Sequence, residues 1–168
     1  MRHITLITTG GTIEKTYDEA TGSLENRRSI VDRMIRRLRL EDTAVSTIEL
    51  LSKDSLLMTD ADRTTIAEAV EAVLRVNPTG VVILHGTDTL CHTGEHLLAR
   101  FPKPAVPIIL TGAMRPFEMQ RSDALQNLTE SIMAAGILAP GVYCVAHGRA
   151  LKFPGVTKDK QRGTFLKP

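Results

Sequence analysis

The sequence predicts an α/β fold of three layers, in which helices cover both faces of a doubly wound parallel sheet. Short apolar runs rich in β-branched residues alternate along the 168 residues with longer segments of helical periodicity. Glycine or proline follows several of these segments, as expected where strands and helices end. The resulting order β, α, β, α, β, α, β, α, β is typical of one domain built on a parallel sheet.

The first part of the chain is predicted to form a strand, a loop and a helix. Residues 3–8 (HITLIT) are β-branched and apolar and lead into two glycines, which indicates a buried strand. Residues 13–26 have little apolar content and are predicted to form a mobile loop. Ser29 is expected to begin a helix, because Asp32 stands three residues later in the arrangement of a capping box.

Three further helices and four further strands complete the predicted fold. Thr59 and Asp62 indicate a second capping box, the next helix is predicted over residues 89–100, and Ser122 opens the last helix. The polar, basic tail from Gly148 onward shows little periodicity. The remaining strands are predicted at residues 44–50, 81–84, 108–110 and 142–146.

The composition narrows the class of protein. Hydrophobic residues make up 42% and charged residues 24%, which is ordinary for a globular domain, and the net charge is only +2. The arginine-rich stretch 27–39 is interpreted as the solvated face of a helix rather than as a phosphate-binding stripe. No apolar run approaches the ~20 residues of a membrane span. We therefore expect no nucleic-acid or membrane partner.

Cysteine usage and the start of the chain suggest a compartment. The two cysteines, Cys91 and Cys144, form no CxxC pair, which favours reduced thiols. The apolar residues before Gly10 are too few for a signal peptide. A cytoplasmic location is therefore expected.

Ligands of open parallel sheets bind outside the carboxyl ends of the strands, so the loops that follow the strands are the candidate site. Three of these loops are dense in glycine, hydroxyl and charged residues: 8–12 (TTGGT), 85–89 (HGTDT) and 111–116 (TGAMRP). Any one of them is explained by turn chemistry, but three at the same edge of one sheet favour a site.

These loops offer a threonine nucleophile and groups that activate it. Glycines before Thr12 would let a substrate lie close to the backbone and leave this hydroxyl exposed. A threonine hydroxyl needs a base, and Thr87 with Asp88 supplies a second hydroxyl and a carboxylate. A lysine of lowered pKa near Thr87 would serve as base, and the candidates are Lys152 and Lys158.

Other chemistries have weaker support. The chain has no GxSxG elbow, and neither GxGxxG nor a P-loop spacing surrounds the glycines. Cys91 is interpreted as a small buried residue rather than as a thiol nucleophile. His92 and His96 stand four apart in HTGEH, without the HExxH pattern or a third ligand, so no metal site is expected.

Taken together, the motifs resemble those of the bacterial-type L-asparaginases, the asparaginase/glutaminase family. They are TTGGTI at 8–13, DSLLMTDADR at 54–63, HGTDT at 85–89, and TGAMRP with RSDALQNL within 111–128. The resemblance implies the flavodoxin-like sheet of the N-terminal domain of asparaginases. Residues 1–168 are accordingly expected to form a single catalytic domain of that type, with the C-terminal domain of the family absent.

The resemblance also implies catalytic roles. Thr12 corresponds to the family's nucleophile, and Tyr17 to the tyrosine that assists it from the following loop. Thr87 and Asp88 join a lysine in a second triad. In the family this lysine follows Gly-Arg in a Val-Thr-Lys context, which assigns Lys158 rather than Lys152.

Substrate binding is implied in the same way. Asp54 and Ser55 match the residues that hold the substrate's α-amino and α-carboxyl groups, together with Thr87 and Asp88. The family often has an aspartate where Leu57 stands, and this sequence departs from the family pattern at that polar contact.

The function implied is hydrolysis of the side-chain amide of L-asparagine to aspartate and ammonia, without a cofactor. The residues leave open whether Thr12 forms an acyl-enzyme or water attacks directly. A domain that binds or senses asparagine without turnover, and a glutaminase-leaning enzyme, are the alternatives. A homodimer or homotetramer is expected, because closed symmetric assemblies are the default.

Overall fold

A computed structural model describes all residues from 1 to 168 and contains one six-stranded sheet. The strands of this sheet are β1 (Arg2–Gly10), β4 (Thr43–Lys53), β5 (Gly80–Leu84), β6 (Pro107–Thr111), β7 (Gly141–Ala146) and β8 (Arg149–Lys152). They lie in the order β4-β1-β5-β6-β7-β8; the first five are parallel, and β8 pairs antiparallel with β7. When only the five parallel strands are counted along the chain, their order in the sheet is 2-1-3-4-5, which is that of flavodoxin-like folds and confirms the predicted fold class.

Four helices cover the two faces of this sheet. They are α1 (Val31–Ile35), α2 (Asp60–Leu74), α3 (Leu90–Arg100) and α4 (Ala124–Ile137). Consecutive strand residues point to opposite faces, so Ile7 packs with α2 and α3 whereas Leu6 packs with α1 and α4. Every residue of β5, β6 and β7 is buried, as expected for a parallel sheet between two helical layers. No helix is long and apolar enough to cross a membrane.

Two small hairpins stand outside the sheet. The hairpin of β2 (Thr16–Asp18) and β3 (Ser23–Glu25) lies within the predicted loop 13–26. The second consists of β9 (Thr157–Asp159) and β10 (Thr164–Leu166). Together with β8 it gives regular structure to the segment after Gly148, where the sequence shows little periodicity. These strands are only three or four residues long, and no residue of β8 or β9 is buried, so the segment carries no continuous apolar run.

The two predicted capping boxes have different outcomes. At α2 the Thr59 hydroxyl accepts from Asp62 N at 3.3 Å, and the Asp62 carboxylate accepts from Thr59 N at 2.8 Å, which confirms the prediction. The box at Ser29 and Asp32 is wrong. The Ser29 hydroxyl donates to the carboxylate of Glu14, and α1 begins two residues later without a side-chain cap.

Candidate active site

The first loop, which carries Thr12, lies against the backbone of a neighbouring loop through Gly11. Gly10 and Gly11 have φ of +93° and +81°, a region that side chains disfavour. A Cβ on Gly11 would lie 2.4 Å from the backbone nitrogen of Gly86, so the two loops touch through glycine alone. Gly11 N also donates to the carbonyl of Lys53 at 2.9 Å. Thr12 follows, half-buried, at the start of a short 3-10 helix.

The loop after β5 is fixed by a buried histidine. His85 Nδ1 lies 2.8 Å from the carbonyl oxygen of Gly86, and Nε2 lies 2.8 Å from the hydroxyl of Thr93. Burial lowers the pKa of His85 to about 4, so the ring is neutral at neutral pH. A carbonyl only accepts, so Nδ1 carries the proton and Nε2 accepts from Thr93. This histidine therefore holds the loop that carries Thr87 and Asp88 and takes no proton itself.

Lys158, Thr87 and Asp88 form one hydrogen-bonded cluster at the carboxyl edge of the sheet. Lys158 Nζ donates to Thr87 Oγ1 and to Asp88 Oδ1, both at 2.7 Å. The Lys158 side chain is 15% exposed and that of Asp88 37%, while Thr87 is buried. The buried Thr87 hydroxyl is therefore held by the Lys158 cation, next to the partly exposed carboxylate of Asp88. The structure contains no hydrogen bond that joins Thr12 to this cluster.

The alternative lysine lies elsewhere. Lys152 is exposed on β8, and its Nζ lies 5.7 Å from the centre of the Tyr143 ring. Its neighbour Phe153 is buried in the core. Of the two candidate lysines, only Lys158 bonds to Thr87.

The hairpin that carries Lys158 is anchored by residues that the sequence did not single out. Lys158 pairs in register with Phe165, which is buried in the core. Arg149 donates to the Phe165 carbonyl at 2.6 Å, and Glu95 accepts from Gly155 N at 2.7 Å. These contacts join segments far apart in the chain, so no local sequence signal reveals them.

Asp123 ties the loop after β6 to the same hairpin. Its carboxylate accepts from the backbone nitrogens of Met114 and Arg115 at 3.0 Å, and from His147 Nε2 at 2.7 Å. His147 Nδ1 in turn lies 3.0 Å from the hydroxyl of Thr164 on β10. Although burial opposes it, hydrogen bonding leaves the pKa of Asp123 lowered, so this carboxylate is ionised. The network fixes two of the loops that border the site.

Asp54 is already paired with a cation. Lys15 Nζ lies 2.8 Å from Asp54 Oδ2, and this hydrogen bond, with that from Leu56 N, lowers the pKa of Asp54. No motif assigned Lys15 a role, although its position three residues after Thr12 places it at the same edge. Leu57, which stands where the family often has an aspartate, is 71% exposed.

Ser55 follows Asp54 in the loop after β4, but it is buried against the loop after β5. Its hydroxyl accepts from Thr89 N at 3.3 Å, and its carbonyl accepts from the Thr89 hydroxyl at 2.8 Å. A Cβ on Gly86 would lie 2.5 Å from the Ser55 hydroxyl. Ser55 is only 1% exposed, so its contacts in this structure are with the protein.

Tyr17, like Thr12, forms no hydrogen bond to the cluster of Lys158, Thr87 and Asp88. It lies on β2, opposite Leu24 of β3, and its side chain is 58% exposed. The hairpin is held by Glu118, whose carboxylate accepts from Tyr17 N at 3.0 Å and from Arg33 at 3.0 Å. No hydrogen bond joins the Tyr17 side chain to Thr12.

The carboxyl edge of the sheet carries the Thr12 hydroxyl, the hydrogen-bonded pair of Lys158 and Thr87, and the carboxylates of Asp54 and Asp88. Hydroxyl, amine and carboxylate groups of this kind suit acyl transfer with side-chain acid–base groups. No group of three histidine, cysteine, aspartate or glutamate side chains is placed to hold a metal ion.

Comparison with known proteins shows which proteins this chain resembles. It is 40% identical over 108 residues to the L-asparaginase of Thermococcus kodakarensis, covering 63% of this chain and 32% of that protein. It is 33% identical over 156 residues to a glutamyl-tRNA(Gln) amidotransferase subunit of Methanococcus vannielii, covering 88% of this chain and 35% of that protein. The chain thus spans about a third of the length of these curated relatives.

The solved structures agree with the sequence matches. The thermostable L-asparaginase from Thermococcus kodakarensis superposes with a TM-score of 0.84 at 30% identity, covering 98% of this chain and 51% of that chain. A family model described as Asparaginase, N-terminal, matches residues 3–164, nearly the whole chain. On this match and this fold, the chain belongs to the asparaginase family.

Proposed function

We propose that this chain hydrolyses the side-chain amide of L-asparagine, giving aspartate and ammonia, with Thr12 as nucleophile. The observation that carries the proposal is the contact of Lys158 Nζ with Thr87 Oγ1 and Asp88 Oδ1, beside the loop that carries Thr12. This cluster joins a hydroxyl, a cation and a carboxylate from segments 70 residues apart. Binding alone would not need a proton-transfer pair in addition to the nucleophile.

In the proposed reaction, Thr12 Oγ bonds to the amide carbon, its proton passes to the amide nitrogen, and the carbonyl oxygen becomes an oxyanion. Backbone N–H groups of the glycine loops stabilise this charge. The C–N bond then breaks, and the nitrogen leaves with a proton as ammonia. Water hydrolyses the resulting ester, with Thr87 and Lys158 relaying its proton, and releases Thr12.

The substrate's charged ends meet the carboxylates of the site. Asp88 and Asp54 are partly exposed, with 37% and 34% of their side chains accessible, and either carboxylate can receive an α-ammonium group. Because Lys15 holds Asp54, the substrate must compete with this lysine for that carboxylate. Ser55 acts indirectly, because it packs its own loop against Gly86. The backbone N–H groups next to Ser55 receive the substrate's α-carboxylate.

Ammonia release by the purified protein tests the proposal. Initial rates are measured on asparagine and glutamine side by side, with a Lys158→Met variant as control. We expect turnover of asparagine with kcat/KM at least ~10-fold above that for glutamine, since one methylene is worth ~10–200-fold. Asparagine binding without ammonia release would instead establish a binding or sensing domain.

Glutamine hydrolysis is the second candidate. Its support is the match to an amidotransferase over 88% of this chain, more than the L-asparaginase match covers. The same kinetic comparison decides between the two, because a higher kcat/KM for glutamine would replace asparagine as the substrate.

A further inference from the structure

Both carboxylates that are proposed to receive the substrate's α-ammonium group already carry a lysine ammonium group. Lys15 Nζ lies 2.8 Å from Asp54 Oδ2, and Lys158 Nζ lies 2.7 Å from Asp88 Oδ1. These are the two least exposed of the three lysines that form ion pairs, at 23% and 15% against 43% for Lys53. The site therefore supplies from its own side chains the kind of group that an amino acid would bring.

Asp54 is held beside the nucleophile loop by the residues on either side of it. The carbonyl of Lys53 accepts from Gly11 N at 2.9 Å, and the hydroxyl of Ser55 accepts from Thr89 N at 3.3 Å. Asp54 thus lies between a contact to the loop after β1 and a contact to the loop after β5. A ligand that reaches both loops passes this carboxylate.

Lys15 is fixed in relation to Thr12. Its backbone nitrogen donates to the Thr12 carbonyl at 3.2 Å, at the end of the 3-10 turn that begins with Thr12. From this turn its side chain reaches Asp54, 39 residues away in the sequence. The ion pair therefore joins the nucleophile turn to the loop after β4.

Both oxygens of the Asp54 carboxylate have partners within the protein. Oδ2 accepts from Lys15 Nζ, and Oδ1 accepts from Leu56 N at 3.0 Å. Hydrogen bonding, first from Lys15 and then from Leu56 N, lowers the pKa of Asp54, so this carboxylate is ionised at neutral pH.

This pairing changes the cost of a ligand without an amino group. A site built to bond a substrate N–H rejects an analogue that lacks it by ~10⁴–10⁵-fold, because polar groups of the site are then left unpaired. Asp54 is not left unpaired in this way, because Lys15 remains its partner. An α-ammonium group gains Asp54 only by displacing Lys15, so it exchanges one ion pair for another and adds little affinity.

We propose that Lys15 is a specificity-determining residue, which holds Asp54 in place of the substrate's α-ammonium group and so allows the site to accept four-carbon monoamides without that group. The substrate class then includes succinamate, which is asparagine without its amino group. Succinamate and water would give succinate and ammonia by the same steps. The inference rests on the proposed function, because it concerns the same site and the same amide bond.

Binding of the two dicarboxylate products tests the inference without turnover. L-Aspartate and succinate differ only in the α-ammonium group, and isothermal titration calorimetry gives Kd for each on the purified protein. We expect the two Kd values of wild type to differ by less than ~100-fold, far below the discrimination of a site that depends on the ammonium group.

Variants locate the effect at Lys15. Lys15→Met removes the ammonium group and keeps the length of the side chain. Aspartate should then bind up to about fivefold more tightly and succinate, which meets an unpaired carboxylate, more weakly, so the ratio of Kd for succinate to Kd for aspartate should rise at least about threefold. Lys53→Met is the matched control, because it breaks a 2.7 Å ion pair with Asp62 next to Asp54, and it should keep the wild-type ratio.

The outcomes separate this inference from the proposed function. A smaller change of the ratio in Lys15→Met, an equal rise in Lys53→Met, a larger preference of wild type for aspartate, or no binding of either dicarboxylate at millimolar concentration would overturn the inference. Ammonia release by wild type from asparagine but not from succinamate would also overturn it and retain the proposed function. The expected binding ratios without ammonia release from either amide would overturn the proposed hydrolysis and leave Lys15 as a determinant of binding.

Discussion

Replacing Glu14 by glutamine should remove a pH-dependent loss of stability that this carboxyl group imposes on the folded chain. Glu14 is buried beside the Thr12 loop, and burial raises its pKa from 4.5 to about 7. The folded protein therefore keeps a proton that the unfolded chain releases above pH 4.5. Its contribution to stability is fully present below this pH and is lost as the pH rises through about 7.

The size of the effect follows from the two pKa values. Each pKa unit corresponds to about 1.4 kcal/mol, so the change from 4.5 to about 7 corresponds to roughly 3 kcal/mol. Glutamine has nearly the same shape and carries no charge, so the variant avoids the cost of ionising a buried group. Relative to wild type, its free energy of unfolding should rise by roughly 3 kcal/mol between about pH 4 and pH 8.

Urea denaturation across this pH range measures the difference. Other titrating groups act equally in both proteins and cancel in the comparison. Glu68→Gln, on the surface of α2, is the control and should follow wild type. A constant difference between Glu14→Gln and wild type at every pH would refute the reasoning.

Three further predictions concern the site and the assembly. Lys158→Met should lower kcat ~100-fold or more, because the amine that bonds to Thr87 is lost, while Lys152→Met should leave kcat within about twofold; equal losses in steady-state assays would exclude this assignment. Lys15→Met should lower KM for asparagine up to about fivefold, because losing the part-exposed ion pair with Lys15, worth ~1 kcal/mol or less, frees Asp54. A higher KM in this variant would show that Lys15 itself binds substrate. Light scattering at micromolar concentration should give a homodimer or homotetramer, and a monomer mass would contradict this expectation.

Much of the fold is predictable because its signals are local or periodic. The Thr59 and Asp62 capping box depends on residues three apart, and the strands β5, β6 and β7 are continuous apolar runs. The box at Ser29 does not form because a distant group fixes this residue outside the helix: the Ser29 hydroxyl donates to Glu14 and accepts from Val31 N at 3.3 Å, not from Asp32 N. Local propensity gives way there to a long-range contact.

Some contacts of the candidate site are likewise predictable from the sequence, and others are not. Parallel strands bring their carboxyl ends to one edge, so the loops of Thr12 and Thr87 were expected to meet, and Gly11 and Gly86 do touch. The pairing of Lys15 with Asp54 joins residues 39 apart and is not encoded in any motif. The resemblance alone assigns Tyr17 a role, and its position depends on a hairpin that Glu118 holds.

Ammonia release from asparagine by wild type, Thr12→Ala and Thr12→Ser, with circular dichroism to check folding, tests the central claim most directly. Thr12 is half-buried at the start of a 3-10 helix, so alanine should leave the fold intact. We expect Thr12→Ala to lose turnover by far more than tenfold and Thr12→Ser, which keeps a hydroxyl, to retain part of it. A folded Thr12→Ala variant with more than a tenth of wild-type turnover would contradict the assignment of Thr12 as the nucleophile.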